Sequence, residues 1–151
     1  MKRSVFQMTH ETWQLLEAQF ETHPVMKSAA VPYEEIDEAA QAFGATLPSG
    51  YREFIHRYGG AHVGSYSIYG IGASETMGIN ESSVFEVTTR YREDEWPGVE
   101  DWLIISTDLS GNPVGMDIDG KIWISDHDHR CIDQLSEDFE GFIRKWCLKQ
   151  K

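Results

Sequence analysis

The sequence predicts a single α+β domain, residues 1–151, in which helices pack against a mainly antiparallel sheet. The length of 151 residues suits one hydrophobic core with little chain left over. Apolar residues recur at helical spacing in the N-terminal third, whereas a short Asp119-Gly120 turn between apolar runs predicts a β-hairpin. A hairpin requires antiparallel pairing, and helices that precede it in the chain are typical of an α+β domain.

Two helices are predicted before residue 45. The first follows Thr9 or His10, and the second begins at Pro32 and ends at Gly44, a residue that reaches left-handed φ without steric cost. Their apolar stripes are Trp13, Leu16 and Phe20 in the first helix, and Ile36, Ala40 and Phe43 in the second.

A third helix lies within residues 47–60. Pro48 suits a first helical turn because its φ is fixed and it needs no N–H partner. Gly59-Gly60 ends the helix. The apolar stripe consists of Tyr51, Phe54, Ile55 and Tyr58.

The middle of the chain predicts a strand, a helix and a second strand. Residues 65–71 are rich in aromatic and β-branched side chains and indicate a strand. Ser82 or Ser83 then caps a helix that places Val84, Val87 and Tyr91 on one face. The continuous apolar run 102–106 predicts a strand that is covered on both faces.

Residues 114–125 predict the hairpin, with Asp119-Gly120 as a two-residue type I′ loop. This loop would pair Ile118 with Lys121, Asp117 with Ile122, and Met116 with Trp123. Neither face would then be purely polar, so we expect cover on one face and partial cover on the other. A final helix begins near Ser136, with a broad stripe of Phe139, Phe142, Ile143, Trp146 and Cys147 that docks on the sheet.

The segment 126–131 most resembles a reactive site. If the preceding strand continued, His127, His129 and Cys131 would point to one face, where such side chains can bind zinc. Alternate strand positions lie nearly 7 Å apart, however, so one ion reaches two of them more readily than three. The two cysteines, Cys131 and Cys147, could pair, but so few cysteines suit a reducing cytoplasm better.

Other catalytic patterns are weak. Asp117 and Asp119 form a carboxylate pair, but the turn already explains Asp119 and strand geometry separates the two. The sequence contains neither a Gly-x-Ser-x-Gly elbow nor a Gly-Lys-Ser/Thr phosphate loop. We therefore expect no catalytic residue, no bound metal and no cofactor, and we keep a metal-dependent enzyme as the least favoured hypothesis.

The formal net charge of −12 is the strongest compositional clue to partners. Such a surface repels phosphate backbones, which argues against direct nucleic-acid binding, and it accelerates encounter with a basic protein. The same charge also serves solubility alone. The chain has no apolar run near the roughly 18 residues of a membrane span and no secretory pattern, so we expect a cytoplasmic protein without membrane contact.

Two acidic segments are the candidate partner-binding residues. One joins charge to a large aromatic side chain in a loop, a combination that suits an interface, and the other surrounds His127. The candidates are Glu93, Asp94, Glu95, Trp96, Asp126 and Asp128.

Three parts of the sequence occur together in a recognisable order. They are the Leu-Pro…Tyr…Phe-Ile…Tyr-Gly-Gly block at 47–60, the strand pair around 117–122, and the Ser136…Phe139…Phe142-Ile143 helix. In these parts the chain resembles the SUKH superfamily, which groups a fungal cell-wall-synthesis regulator domain with many bacterial immunity proteins. The resemblance implies a non-catalytic α+β binding domain. It further implies an antidote to a cognate polymorphic or contact-dependent toxin, such as a nuclease with a basic groove, or alternatively a scaffold or regulator. It assigns no binding residue and no oligomeric state.

Overall fold

The computed structural model describes residues 7–72 and 83–149. Within them the helices are α1 (His10–Thr22), α2 (Tyr33–Phe43), α3 (Ser49–Tyr58), α4 (Val84–Glu93) and a short α5 (Phe139–Gly141), which continues as the π-helix Phe142–Cys147. The strands are β1 (Ala61–Val63), β2 (Tyr66–Ile68), β3 (Leu103–Thr107), β4 (Pro113–Met116), β5 (Ile122–Asp126) and β6 (Cys131–Ser136). All neighbouring strands pair antiparallel in sequence order, so the described strands form one meander. The α+β prediction is confirmed.

The predicted helical stripes are the buried faces. Trp13, Leu16 and Phe20 of α1 are buried, and Gly44 ends α2 at φ 87°. Helix α3 buries Tyr51 and Phe54, whose rings meet Phe139 at centroid distances of 5.3 and 5.6 Å. The block at 47–60 therefore links the N-terminal helices to the C-terminal segment.

Gly59 shows why α3 ends where it does. Its φ is +79°, and a Cβ at this position would lie 2.2 Å from the Ala29 carbonyl oxygen. Both the left-handed backbone and the close approach require glycine. Sequence reasoning missed β1, which begins two residues later and forms a tight hairpin with β2.

The predicted register of the β4–β5 hairpin is wrong by one residue. Met116 pairs with Ile122 and Val114 with Ile124, because Asp117-Ile-Asp-Gly120 forms a turn in which the Gly120 N–H donates to the Asp117 carbonyl at 3.0 Å. Gly120 has φ 86°, and the Asp117 N–H donates to the Lys121 carbonyl at 3.0 Å, a type I turn with a glycine bulge. The loop thus contains one residue more than a type I′ turn.

The corrected register gathers the apolar side chains on one face. Val114, Met116, Ile122 and Ile124 are all buried there, whereas Ile118 at the turn is 95% exposed. The other face is covered in part by the α4–β3 connection, since Trp102 stacks on Trp123 at 6.3 Å. Full cover on one face and partial cover on the other is the arrangement that the sequence predicted.

The last helix starts later than predicted. Ser136 ends β6, and Asp138 is the N-cap, whose carboxylate accepts the Gly141 N–H at 2.8 Å. A Cβ at Gly141 would lie 2.1 Å from Ser136 Oγ, so the glycine permits close contact with the end of β6.

Candidate functional site

The two predicted acidic segments meet at one end of the sheet. The rings of Trp96 and His127 lie 5.5 Å apart, which places the loop after α4 against the turn between β5 and β6. Ser125 Oγ donates to the Pro97 carbonyl at 2.7 Å and holds the same loop on β5. We call this surface the acidic–aromatic patch, comprising Glu93, Asp94, Glu95, Trp96, Asp126, His127 and Asp128.

The end of α4 positions Trp96. The Trp96 N–H donates to the Tyr91 carbonyl at 3.2 Å and the Glu95 N–H to the Arg92 carbonyl at 3.1 Å, which is the hydrogen-bond pattern of a Schellman motif. The hydrophobic contact typical of this motif is also present, because the Tyr91 and Trp96 rings meet edge to face at 5.3 Å. Backbone geometry therefore fixes the aromatic centre of the patch.

Glu95 occupies a position that usually carries glycine. Its φ is 56°, in the left-handed region, where a residue with a Cβ is disfavoured by about 1–2 kcal/mol. Arg130, in the facing turn, has φ 51°. A charged side chain is thus kept at a strained position in each of the two loops that meet at the patch.

A third loop, between β3 and β4, holds the patch in place, and sequence reasoning did not include it. The His127 N–H donates to Asn112 Oδ1 at 3.0 Å, and the Tyr91 hydroxyl donates to the Gly111 carbonyl at 2.8 Å. Asn112 is only 3% exposed, and its amide donates to Asp108 Oδ2 at 3.0 Å. An Asp-x-x-x-Asn loop signal was present in the sequence, but nothing in it indicated the contact with His127.

Asp126 of the patch forms a hydrogen-bonded pair with His129, which lies outside the patch in the adjoining turn. His129 Nδ1 lies 2.9 Å from Asp126 Oδ2, and the His129 N–H donates to Asp126 Oδ1 at 3.1 Å. These hydrogen bonds lower the pKa of Asp126, and the same carboxylate raises the pKa of His129. The imidazole therefore stays protonated to a higher pH than usual, and in its protonated form it offsets part of the local acidity.

The premise of the zinc hypothesis is wrong. Strand β5 ends at Asp126, residues 127–130 form a turn, and Cys131 opens β6, so the two histidines and the cysteine do not share one strand face. The Cys131 thiol donates to Asp133 Oδ2 at 3.2 Å, a contact that raises the pKa of Cys131. In the described ranges no three His, Cys, Asp or Glu side chains are arranged to hold a metal ion.

Two further predictions concern the cysteines and the membrane. Cys131 and Cys147 are both free thiols, the first partly accessible and the second buried in the last turn of the π-helix. Burial raises the pKa of the Cys147 thiol. None of the described helices has the length and apolar character needed to cross a membrane.

The patch is suited to binding. Exposed carboxylates at Glu93, Asp94 and Asp128 flank a half-buried Trp96. Large aromatic side chains beside charges are enriched where proteins meet, and carboxylates attract Lys and Arg on a partner. The structure brings together the residues that the sequence selected, while their role in binding stays a prediction.

Comparison with known families identifies the fold type. A family model described as the SMI1/KNR4 family (SUKH-1) matches residues 31–145, which is more than half of the chain. The match contains the block at 47–60, the β4–β5 hairpin and the start of the last helix, whereas α1 lies outside it. A search of curated proteins found no match.

Proposed function

The chain belongs to the SMI1/KNR4 family (SUKH-1), and from this premise we propose that it is a cytoplasmic immunity protein that binds and neutralises a cognate protein toxin. Domains of this family are generally binding modules without catalysis. The chain would therefore act by stoichiometric capture of its partner. Resemblance to the SUKH superfamily, which includes many bacterial immunity proteins, supports the assignment to toxin neutralisation.

The observation that carries the proposal is the contact between Trp96 and His127. It joins two acidic segments, distant in sequence, into one surface with an aromatic centre. A toxin that acts on nucleic acid needs a basic substrate groove, and the patch offers carboxylates and a large apolar ring to such a groove. The net charge of −12 would accelerate the encounter.

Charge reversal with a matched control tests the patch. The test variant carries Glu93→Lys, Asp94→Lys and Asp128→Lys, three exposed positions that leave the strained Glu95 and the Asp126–His129 pair intact. The control variant reverses Glu34, Glu35 and Glu38, three exposed carboxylates on α2, and changes the net charge by the same amount.

Association with the product of the neighbouring gene is measured by stopped flow at two salt concentrations. We expect the patch variant to associate at least about tenfold more slowly at low salt and the control to change far less, with both differences shrinking at high salt. Equal slowing of association by the two variants would mean that the overall charge of the chain, and not the patch, determines the association rate. A partner that binds but does not inhibit growth when expressed alone would favour a scaffold or regulator.

A further inference from the structure

Strand β6 is an edge of the sheet. It pairs with β5 on one side, and no other strand of the described ranges pairs with its outer side. The opposite edge is partly covered, because Lys27 forms a bridge with Ala61 of β1 and the Ser28 N–H donates to the Gly60 carbonyl at 2.9 Å. The two edges of the sheet thus differ in their cover.

The hydrogen-bond alternation of the sheet identifies which groups of β6 face outward. The Asp117 N–H donates across the hairpin to the Lys121 carbonyl. Hydrogen-bonded pairs alternate with non-hydrogen-bonded pairs along an antiparallel ladder, so Gly115, two residues before Asp117, and its partner Trp123 also bond to each other. Ile124 must then bond toward β6, to its partner Asp133. The N–H and C=O groups of the flanking Ile132 and Gln134 consequently point away from the sheet.

The stretch of β6 whose backbone groups face outward ends at Gln134. The register of β5 and β6 shifts beyond the pair of Trp123 and Gln134, and the Leu135 carbonyl accepts the Trp146 indole N–H at 2.9 Å. The outward backbone groups at Ile132 and Gln134 can therefore make up to four hydrogen bonds. Residues 131–134 contain neither proline nor lysine, two residues that commonly protect strand edges from pairing.

The side chains of this stretch indicate the chemistry of an added strand. Ile132 is 43% exposed on one face of the sheet, and it lies over Gly98, where a Cβ would meet its Cδ1 at 2.3 Å. Asp133 is exposed on the other face. An incoming strand would set apolar side chains beside Ile132 and basic side chains beside Asp133.

We propose that the outer edge of β6 binds an extended segment of a protein partner as an additional strand, with basic residues alternating with apolar ones. Charge decides between this occupant and a second copy of the chain. Two copies, each with a net charge of −12, repel one another, whereas a basic segment is attracted. The Ile132–Gly98 contact makes the edge continuous with the loop that carries Trp96.

This inference rests on the proposed binding function but not on the identity of the toxin, so it can be tested without one. The probe is a capped ten-residue peptide of alternating Lys and Val, titrated into ¹⁵N-labelled protein and followed by the amide signals. A peptide of alternating Glu and Val is the charge control. We expect the basic peptide to shift the Ile132 and Gln134 amides saturably, with a Kd at least tenfold lower than that of the acidic one.

Two changes separate strand addition from simple charge attraction. Gln134→Pro removes an outward N–H without breaking a bond to β5, whereas Gln134→Val removes the same side-chain contacts and keeps the N–H. We expect the proline variant to weaken binding at least tenfold and the valine variant less than twofold. The Lys/Val peptide, N-methylated at alternate valines, gives a second readout that leaves the protein unchanged, and we expect it not to bind.

Several results would overturn the inference. These are shifts confined to Trp96 and His127, equal binding of the methylated peptide, no binding of the basic peptide, or a dimer in sedimentation that Gln134→Pro dissociates. The charge-reversal test at Glu93, Asp94 and Asp128 is independent of these outcomes. Failure of the edge proposal would therefore leave the proposed function standing, and a negative charge-reversal result would be distinguishable from a negative result at the edge.

Discussion

Replacing Thr88 with valine tests how α4, the helix that presents Trp96, is docked on the sheet. Thr88 is fully buried, and its hydroxyl donates to the Val84 carbonyl at 2.7 Å while it accepts the Ile104 N–H at 2.8 Å. Ile104 needs this partner because its neighbour on β4, Gly115, bonds toward β5, and on the other side the pairing of β2 with β3 stops at Ile68 and Ser106. One helix side chain thus completes the hydrogen bonding of a strand.

The size of the effect follows from these contacts. Valine has nearly the shape of threonine, so Thr88→Val creates no cavity but leaves the Ile104 N–H buried without an acceptor. An unsatisfied buried donor costs about 1–3 kcal/mol, and we expect about 2 kcal/mol here. Thr88→Ser keeps the hydroxyl and loses one methyl group, for which we expect about 1 kcal/mol.

Urea unfolding followed by tryptophan fluorescence measures the loss. With m of about 2 kcal/mol/M, Thr88→Val should lower the midpoint by about 1 M at unchanged m. The neighbouring Thr89 is a matched control, because it is exposed and its hydroxyl bonds only within α4, to the Phe85 carbonyl at 2.9 Å. If Thr88→Val costs no more than Thr89→Val, the hydroxyl does not hold α4 on β3.

Two further predictions concern the turns. Asp117→Asn should lower the free energy of unfolding in urea by about 1 kcal/mol, because the carboxylate accepts the Trp123 indole N–H at 2.9 Å and an amide N–H in its place would oppose that donor. An Asp117→Glu variant as stable as the unchanged protein would contradict the need for this short side chain. Asp126→Asn should lower the pKa of His129 toward its ordinary value, measured by NMR titration, since the carboxylate raises it. The His129 part of this pairing stabilises the fold at low pH and is lost as pH rises through the raised pKa, while the Asp126 part is lost as pH falls through the lowered pKa. A His129 pKa that is unchanged in the variant would show that the pair does not form in solution.

Helix prediction succeeded because local signals agree with burial. The stripe of α3, its proline start and its glycine end all describe the same ten residues, and the core uses that stripe. The last helix was less predictable, because apolar spacing at i+3 and i+4 does not distinguish an α-helix from the π-helix at Phe142–Cys147. Its start was placed too early because Ser136 and Asp138 are both plausible caps.

The β4–β5 register shows a limit of turn signals. Asp119-Gly120 suits a two-residue type I′ loop, but glycine with positive φ suits equally a type I turn with a bulge. The deciding group is the Asp117 carboxylate, which accepts the N–H groups of Asp119 at 2.9 Å and Lys121 at 3.0 Å. Only the structure shows that this side chain folds back over the turn instead of lying on a strand.

Sequence reasoning selected residues of the acidic–aromatic patch in two separate segments, but it did not indicate that these segments form one surface. Charge beside a large aromatic side chain marked residues 93–96, yet the contact with His127 depends on the α4 C-terminus and the β3–β4 loop together. A short stretch of sequence indicates neither of these two supports, because the contacts are made by backbone carbonyls and by a buried asparagine. The disfavoured zinc hypothesis assumed that the strand continues past Asp126, whereas a turn interrupts it at residue 127.

The fold and the proposed binding depend on different residues, namely the block at 47–60 and the acidic–aromatic patch. The block at 47–60 supplies buried side chains, so substitutions there change the core. The patch is held largely by backbone bonds, such as the Trp96 N–H to the Tyr91 carbonyl, while Glu93 and Asp128 point to solvent. Loops fixed in this way can exchange exposed side chains at little cost in stability. In a binding domain this separation leaves the exposed loop residues free to vary, so the most recognisable residues of this chain report its fold.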